Sequence, residues 1–249
     1  MRRAFVRRPD PRLGEGIVTH IERHPVDVGR ATAQWEAYVA ALEGAGWDVV
    51  EASPAESCPD GVFIEDTVVV HGGRVVVARP GVESRRFELP GAVAAIGELG
   101  YPTRHIVSPG TLDGGDVLAA GGTVYVGTGA RSNVEGARQL RGFLDAPVVE
   151  VPIEGAGFLH LKTAVTALPD GSLVGCPPLV PDGLPDVRTV PEPTGAQVVL
   201  LGGSRLLIAA DCPRSAELYS ELGYEPIVVD ISELQKLEGC VTCLSVLCP

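Results

Sequence analysis

The stretch Thr67-Val68-Val69-Val70-His71-Gly72-Gly73-Arg74-Val75-Val76-Val77 predicts a β-hairpin. Valine favours strands, and a Gly-Gly pair between two apolar runs is typical of a two-residue hairpin turn. The same pattern returns at three later places, which are Val117-Leu118-Ala119 with Thr123-Val124-Tyr125-Val126, the turn Pro169-Asp170-Gly171, and Val198-Val199-Leu200-Leu201 with Arg205-Leu206-Leu207-Ile208. The recurrence of this hairpin indicates a fold built from one repeated unit.

A helix and a further strand are predicted after three of these four hairpins. The helices fall near residues 91–99, after the cap Asn133 and from Pro213, and the strands at 105–107, 148–151 and 227–229. After the third hairpin, residues 176–193 are rich in Pro and Gly, which predicts an irregular loop in place of the helix. The unit is therefore hairpin, helix and strand, with one variant copy.

The N-terminal part of the chain predicts a fifth unit that has lost part of its hairpin. It contains a strand at 4–6, a helix at 28–43 with apolar residues at helical spacing, and a strand at 47–50. Repetition of one supersecondary unit indicates radial or linear stacking. No linker divides the chain, so five α/β units around an axis predict a single closed domain over residues 1–249.

Composition and charge exclude several classes of function. A net charge of -12 disfavours nucleic acid and anionic membranes as partners, because phosphate binding needs a basic face. No run approaches the roughly 18 apolar residues of a membrane span, and the basic N-terminus lacks the apolar run of a signal peptide. The six cysteines have no disulfide-framework spacing, which is typical of a reducing compartment. We therefore expect a cytoplasmic protein, with its oligomeric state open.

Polar residues gather where the chain enters the predicted hairpins. They are Asp60, Glu65 and Asp66 before the first hairpin, Asp113 and Asp116 before the second, and His160 before the third. If the units are radial, equivalent positions converge on the axis. Singly, each residue has an ordinary interpretation, such as a turn-capping carboxylate or a hydrogen-bonded core histidine. Their common place in a repeat is what predicts a shared site.

The C-terminal segment, residues 239–248, adds three cysteines to this picture. We expect a strand there, which would direct Cys240 and Cys243 to opposite faces and leave one of them facing the site. A zinc site needs four ligands, and Cys240, Cys243 and Cys248 supply three. A thioredoxin-like motif needs a helix after its CxxC, which the sequence does not predict. A zinc-binding or redox protein is nevertheless the alternative from a different functional class.

Four motifs, in this order, resemble those of the dimethylarginine dimethylaminohydrolase family. They are Phe63-Ile64-Glu65-Asp66, Leu112-Asp113-Gly114-Gly115-Asp116, Leu159-His160-Leu161-Lys162 and Gly239-Cys240-Val241-Thr242-Cys243-Leu244-Ser245-Val246. The family belongs to the guanidine-modifying superfamily, so the resemblance implies a five-bladed α/β propeller. The motifs span residues 63–246, which is nearly the whole chain.

The resemblance also implies a role for individual residues. Cys243 would be the nucleophile, His160 the general acid and base, and Asp113 the carboxylate that orients His160. Asp60, Glu65 and Asp66 would hold the substrate's guanidinium and amino groups, and Arg85 and Arg131 would take its carboxylate. Ile17 would lie on a lid over the site, and the backbone carbonyl of Leu237 would accept from the ammonium group.

The activity that the resemblance implies is hydrolysis of Nω-methylated free arginine to citrulline and a methylamine. The substrates would be asymmetric dimethylarginine and monomethylarginine, and the intermediate a covalent thiouronium on Cys243, with no metal or organic cofactor. Related deiminases carry His-x-Asp where this chain has His160-Leu161-Lys162, which favours an alkylated guanidinium. Arginine deiminase and amidinotransferase activity on the same fold are the nearest alternatives.

Overall fold

Five three-stranded sheets make up the computed structural model, which describes residues 2–249. The strands are β1 (Arg3–Val6), β2 (Asp48–Glu51), β3 (Val68–His71), β4 (Arg74–Val77), β5 (Thr103–His105), β6 (Val117–Ala120), β7 (Thr123–Thr128), β8 (Val148–Pro152), β9 (Val165–Ala167), β10 (Leu173–Gly175), β11 (Val187–Thr189), β12 (Val199–Gly202), β13 (Arg205–Ala209), β14 (Glu225–Val229) and β15 (Val246–Cys248). The helices are α1 (Val28–Gly44), α2 (Leu89–Gly97), α3 (Val134–Arg141), α4 (Leu161–Ala164), α5 (Pro213–Glu221) and α6 (Ser232–Gln235).

Each complete blade pairs a hairpin with a parallel outer strand. In the first, β3 and β4 are antiparallel, with Val68 opposite Val77, and β4 and β5 are parallel. A two-residue turn can join only antiparallel strands, whereas the parallel partner requires a crossover such as α2. Gly72 and Gly73 have φ of 57° and 71°, as the predicted hairpin turn requires. The predicted hairpins and the irregular segment after the third hairpin are confirmed.

The N-terminal blade is completed by the other end of the chain. Strand β1 pairs with β2 in parallel and with β15 antiparallel, so that Phe5 lies opposite both Val50 and Val246. The strand that the fifth repeat had lost is therefore supplied by the C-terminus. This pairing closes the ring of sheets into the expected five-bladed α/β propeller.

The expected strand over residues 239–248 is wrong in its first half. Thr242–Leu244 forms a 3₁₀ turn, and extended backbone begins only at Ser245. A comparable short helical turn precedes the inner strand of every other blade, at Ile64–Thr67, Gly114–Asp116, Leu161–Ala164 and Pro193–Ala196. The chain turns tightly before it enters each inner strand, and this geometry outweighs the strand propensity of the segment.

Inner strands surround a central channel, and helices cover the outside. A cavity of about 270 Å³ is lined by residues of β3, β6, β9, β12 and β15, together with the ion pair of Glu65 and Lys162. On the outside, α1 buries Trp35, Tyr38 and Leu42 at helical spacing, and each contributes roughly 1.5–3 kcal/mol on burial. Within residues 2–249, no helix has the length and hydropathy needed to span a membrane.

Candidate active site

The helical turns at the blade entrances bring the predicted polar residues together at one cleft. Its lining residues are Ile17, Asp60, Phe63, Asp66, Arg85, Arg131, Leu159, His160, Leu237, Glu238, Gly239 and Cys243. Of the predicted site residues, Asp113 and Glu65 are outside this lining. Asp113 lies behind His160, and Glu65 faces the central channel.

His160 is held between two carboxylates. Its Nε2 lies 3.0 Å from Asp113 Oδ2 and 3.8 Å from Asp66 Oδ1, and all three residues are buried. Asp113 is fixed in turn, because its Oδ1 accepts a hydrogen bond from Gly81 N at 3.0 Å. Gly115 leaves room for the ring, since a Cβ there would lie 2.7 Å from His160 Nδ1. The imidazole therefore has one orientation.

These carboxylates also control the charge of His160. Burial by itself would lower the pKa of His160, but Asp66, Asp116 and the hydrogen bond to Asp113 raise it to about 9. Burial would raise the pKa of Asp66, yet the charges of His160 and Arg85 bring it below its ordinary value. At neutral pH, His160 is consequently an imidazolium that can donate a proton from its ring.

Arg85, which the resemblance assigns to the substrate carboxylate, lines the cleft and is engaged with protein groups. Its Nη1 lies 2.6 Å from Asp66 Oδ2, and its Nε and Nη2 each donate to Glu88 at 2.9 Å. Nη2 also donates to the carbonyl of Phe63 at 3.2 Å. Arg85 is buried, so a direct contact with substrate would require one of these pairs to open.

Arg131 is the cation with a free donor at the cleft. Its Nη2 donates to Thr19 Oγ1 at 3.3 Å, while its buried Nη1 has no hydrogen-bond partner in residues 2–249. A buried donor without a partner carries an energetic cost of about 1–3 kcal/mol, which an anionic ligand would remove. The geometry at Arg131 is therefore suited to a carboxylate.

The segment around Ile17 covers the cleft and is tied to it by two acids. Ile17 N donates to both carboxylate oxygens of Asp60, at 3.0 and 3.2 Å. Thr19 N and His20 N donate to Glu238 at 2.5 and 2.8 Å. Glu238 was missed by the sequence analysis, although it follows Leu237 directly. The φ of Glu238 is 60°, which is rare for a residue with a side chain. No sequence motif predicts the turn in which it lies.

Glu65, which the resemblance assigns to the substrate's guanidinium and amino groups, faces the central channel and pairs with Lys162. Lys162 Nζ lies 2.5 Å from Glu65 Oε1, and both side chains are mostly buried. Burial raises the pKa of Glu65, and the Lys162 charge opposes that shift. Lys162, which stands where the related deiminases carry an acid, therefore forms an ion pair with the neighbouring Glu65.

Cys240 and Cys243 lie side by side, contrary to the expected opposite faces. Their Sγ atoms are 3.0 Å apart, both are free thiols, and both side chains are buried. The cause is the turn at Thr242–Leu244, in which Cys243 N donates to Cys240 O at 3.1 Å. Cys243 lines the cleft, whereas Cys240 packs behind it in the apolar core.

The cluster able to hold a metal ion in residues 2–249 is Asp66, Asp113 and His160, whose ligand atoms lie within 4.8 Å of one another. Cys240 and Cys243 are not part of it. Gly115 N and Arg85 already donate to Asp66. The guanidinium and the imidazolium thus supply the positive charge that these carboxylates need.

Comparison with known proteins connects this geometry to one family. The chain is 56% identical to an N(G),N(G)-dimethylarginine dimethylaminohydrolase of Streptomyces coelicolor, over 98% of this chain and 96% of the relative. It is 32% identical to the Pseudomonas aeruginosa protein of that name, over 97% of each chain. No protein-family model matches.

Solved structures show the same similarity. A dimethylarginine dimethylaminohydrolase variant crystallised as an adduct with S-methyl-L-thiocitrulline matches with a TM-score of 0.90 and 31% identity, over 100% of both chains. The Pseudomonas aeruginosa enzyme in complex with citrulline matches with a TM-score of 0.87 and 31% identity, over 99% of this chain and 98% of that one. The chain therefore belongs to the dimethylarginine dimethylaminohydrolase family.

Proposed function

We propose that this protein hydrolyses Nω-methylated arginine to citrulline and a methylamine, with Cys243 as nucleophile. The observation that carries the proposal is that the Cys243 thiol, the carboxylate-held His160 and the free donor of Arg131 meet in one cleft. The relatives' names and the bound citrulline of a solved relative support the same reaction.

The chemistry requires a soft nucleophile and a fixed electrophile. A guanidinium carbon is a poor electrophile because resonance spreads its charge, so a thiolate on Cys243 is better suited to attack it than a hydroxyl. The substrate's positive charge favours that thiolate by proximity. Attack forms a tetrahedral adduct, and its collapse breaks the bond to the methylated nitrogen.

His160 assists both halves of the reaction. Its imidazolium donates a proton to the departing amine, which would otherwise be a poor leaving group. A thiouronium remains on Cys243. The neutral His160 then takes one proton from water, and the resulting hydroxide attacks the same carbon. When the bond to Cys243 breaks, the remaining hydroxyl proton is lost as the ureido C=O forms, and it is taken up by the released amine, which becomes an alkylammonium ion. Citrulline is released. Asp113 holds the ring and balances its charge in each step.

The α-carboxylate and α-ammonium groups of the substrate bind at the segment that covers the cleft and at the residues beside it. Arg131 donates to the α-carboxylate, and the carbonyl of Leu237 with Asp60 and Ile17 faces the α-ammonium. Asp66 faces the guanidinium, together with Asp60. Glu65, a guanidinium ligand by resemblance, acts through its pair with Lys162. Requirement for a free carboxylate excludes peptide-bound arginine as a substrate.

We further assign residues 1–249 to one catalytic domain, because the two ends of the chain share the sheet β15-β1-β2. A cytoplasmic location fits the six cysteines, all of which are free.

Substrate choice tests the function directly. We expect kcat/KM for asymmetric dimethylarginine and monomethylarginine to exceed that for arginine by about 10-fold or more, since Lys162 stands where a second guanidinium-binding acid would favour arginine. The measurement is citrulline formation with simultaneous detection of dimethylamine, methylamine and ammonia. Faster turnover of arginine with ammonia as co-product would replace this proposal with a deiminase, and zinc near one equivalent without citrulline would support the metal-binding alternative.

Recognition of the carboxylate is tested by Arg131→Lys. Lysine keeps the charge but loses the planar pair of donors, so KM should rise about 10- to 100-fold with a smaller change in kcat. Arg138→Lys is the matched control, because Arg138 is exposed on α3 and pairs with Glu135 away from the cleft. An unchanged KM for Arg131→Lys would remove Arg131 from the binding site.

A further inference from the structure

The two neighbouring cysteines form a pair that a single oxidation can join. We propose that Cys240 and Cys243 are a reversible oxidation site, at which a hydroperoxide converts the two thiols into a disulfide and so blocks the nucleophile. Their Sγ atoms are 3.0 Å apart, and a disulfide needs them about 1 Å closer. The pairing is a property of the fold, whereas the loss of activity that it causes rests on the proposed function.

The backbone of this segment already has the separation that a disulfide requires. Cys243 N donates to Cys240 O at 3.1 Å, which is the hydrogen bond of a four-residue turn. In such a turn the first and last Cα atoms are less than about 7 Å apart, and disulfides join Cα atoms about 4.4–6.8 Å apart. The contact between the sulfurs shows that the side chains also point toward one another. Closing the bond therefore requires side-chain rotation and no rearrangement of the blades.

The two thiols differ in their access to solvent, which assigns their roles. Cys243 lines the cleft and is 8% exposed, whereas Cys240 is 2% exposed and packs in the apolar core behind it. A small oxidant that enters the cleft therefore reaches Cys243 first. Cys240 contacts the oxidised sulfur from the core side and acts as the resolving thiol, the kind of partner that redox-sensing cysteines often have.

The other cysteines are not placed to take this role. Cys248 lies on β15 and packs beside Phe5 in a different apolar cluster. The thiols of Cys58, Cys176 and Cys212 each contact a backbone carbonyl nearby in sequence. Within residues 2–249, no second pair of cysteine sulfurs lies within hydrogen-bonding distance. The oxidation site is therefore confined to one turn.

The reaction balances with one molecule of hydrogen peroxide. The thiolate of Cys243 attacks one oxygen, the O–O bond breaks, and the departing hydroxide takes up the proton that the thiol had lost. The products are water and a sulfenic acid on Cys243. Sγ of Cys240 then attacks that sulfur, the S–O bond breaks, and the second hydroxide leaves as water with the proton of Cys240. Two electrons pass from the sulfurs to the peroxide, and a dithiol reductant returns two electrons and two protons.

The disulfide has two effects on the catalytic thiol. It removes the nucleophile, so no thiouronium forms while the bond persists. It also stops oxidation at a state that thiols reverse, because an unresolved sulfenic acid is oxidised further to a sulfinic acid that thiols do not reduce. Cys240 therefore makes the loss of activity under peroxide reversible.

Peptide mapping of the parent tests the pairing without an assay of turnover. Trypsin cleaves after Lys236 and releases residues 237–249, which contain Cys240, Cys243 and Cys248. After treatment with equimolar hydrogen peroxide and alkylation of the remaining thiols in denaturant, this peptide should lack two hydrogen atoms and carry an alkyl group on Cys248. Added oxygen on Cys243, a link to Cys248, or alkylation of all three cysteines would overturn the proposal.

Recovery of activity tests the resolving role of Cys240. Parent, Cys240→Ser and Cys240→Ala are treated with excess hydrogen peroxide and then with dithiothreitol, and Cys248→Ser, a change at another buried cysteine of this segment, is the matched control. Parent and control should regain nearly all citrulline formation. Both Cys240 variants should regain about 10-fold less, because their Cys243 ends as a sulfinic acid. Equal recovery in parent and Cys240 variants would contradict a resolving role.

The pairing and the proposed function are tested independently. Serine keeps most of the volume of Cys240 and alanine does not, so comparison of their thermal stability with that of the parent detects a folding defect. The peptide map of the parent needs no variant. If the parent formed no citrulline from any methylated arginine, the proposed function would fail, and the map would still decide whether Cys240 and Cys243 pair.

Discussion

Replacing the nucleophile in Cys243→Ser is expected to abolish citrulline formation, with a fall in kcat of at least about 10³-fold. A serine hydroxyl remains protonated near neutral pH and is a far weaker nucleophile toward a resonance-stabilised guanidinium. Binding should persist, because Arg131 and Asp60 are untouched by the change. Turnover assays combined with calorimetric titration of substrate would measure the two effects separately.

A covalent intermediate should be trapped only when Cys243 is present. Rapid acid quenching of the parent followed by mass spectrometry should place the thiouronium adduct on the peptide that contains Cys243. Cys212→Ser is a suitable control, because Cys212 is buried in another part of the core, against Ala209 O. Full activity of Cys243→Ser would show that the nucleophile lies elsewhere.

Removal of the acid–base group in His160→Asn should reduce kcat by about 10²- to 10⁴-fold, the usual weight of such a group. Asparagine can still hydrogen-bond to Asp113 but cannot donate a proton to the amine. Both the formation and the hydrolysis of the thiouronium should become slower. Activity within a few-fold of the parent would make His160 a structural core residue.

The charge of His160 also sets the expected pH dependence. Its folded-state pKa of about 9 lies above the 6.5 of an ordinary histidine, so kcat should decline as the pH rises through about 9. The same shift stabilises the fold fully below about 6.5, and this stabilisation is lost as the pH rises through about 9. In urea titrations, the stability difference between parent and His160→Asn should therefore shrink on the alkaline side.

Local sequence determined the repeating architecture. Valine-rich runs around Gly-Gly pairs define the hairpins, because strand propensity and left-handed turn residues act over a few positions. Apolar spacing defines α1 in the same way. The irregular third repeat is equally local, since its Pro and Gly residues prevent a helix. The four family motifs lie at equivalent entrances of these repeats, which is why the sequence could also indicate the activity.

Tertiary structure decided the contacts between distant parts of the chain. The pairing of β1 with β15 joins the two ends, and no local pattern in residues 3–6 specifies a partner at 246–248. Glu65 and Lys162 form an ion pair across 97 positions, beside the central channel. Arg85 forms ion pairs with Asp66 and Glu88. A buried guanidinium needs such paired charges, and the tertiary structure decides which carboxylates lie close enough to supply them.

The contact between Cys240 and Cys243 is the clearest feature that local sequence patterns did not predict. Residues 240–248 contain good strand formers, and a strand would have separated Cys240 from Cys243. Entry into the inner strand of a closed ring instead requires a tight turn, and that turn places the two sulfurs 3.0 Å apart. The family resemblance therefore indicated which of the two thiols is the expected nucleophile. Only the folded ring decided that a second thiol lies against it, because the turn is imposed by the neighbouring blades and not by the segment itself.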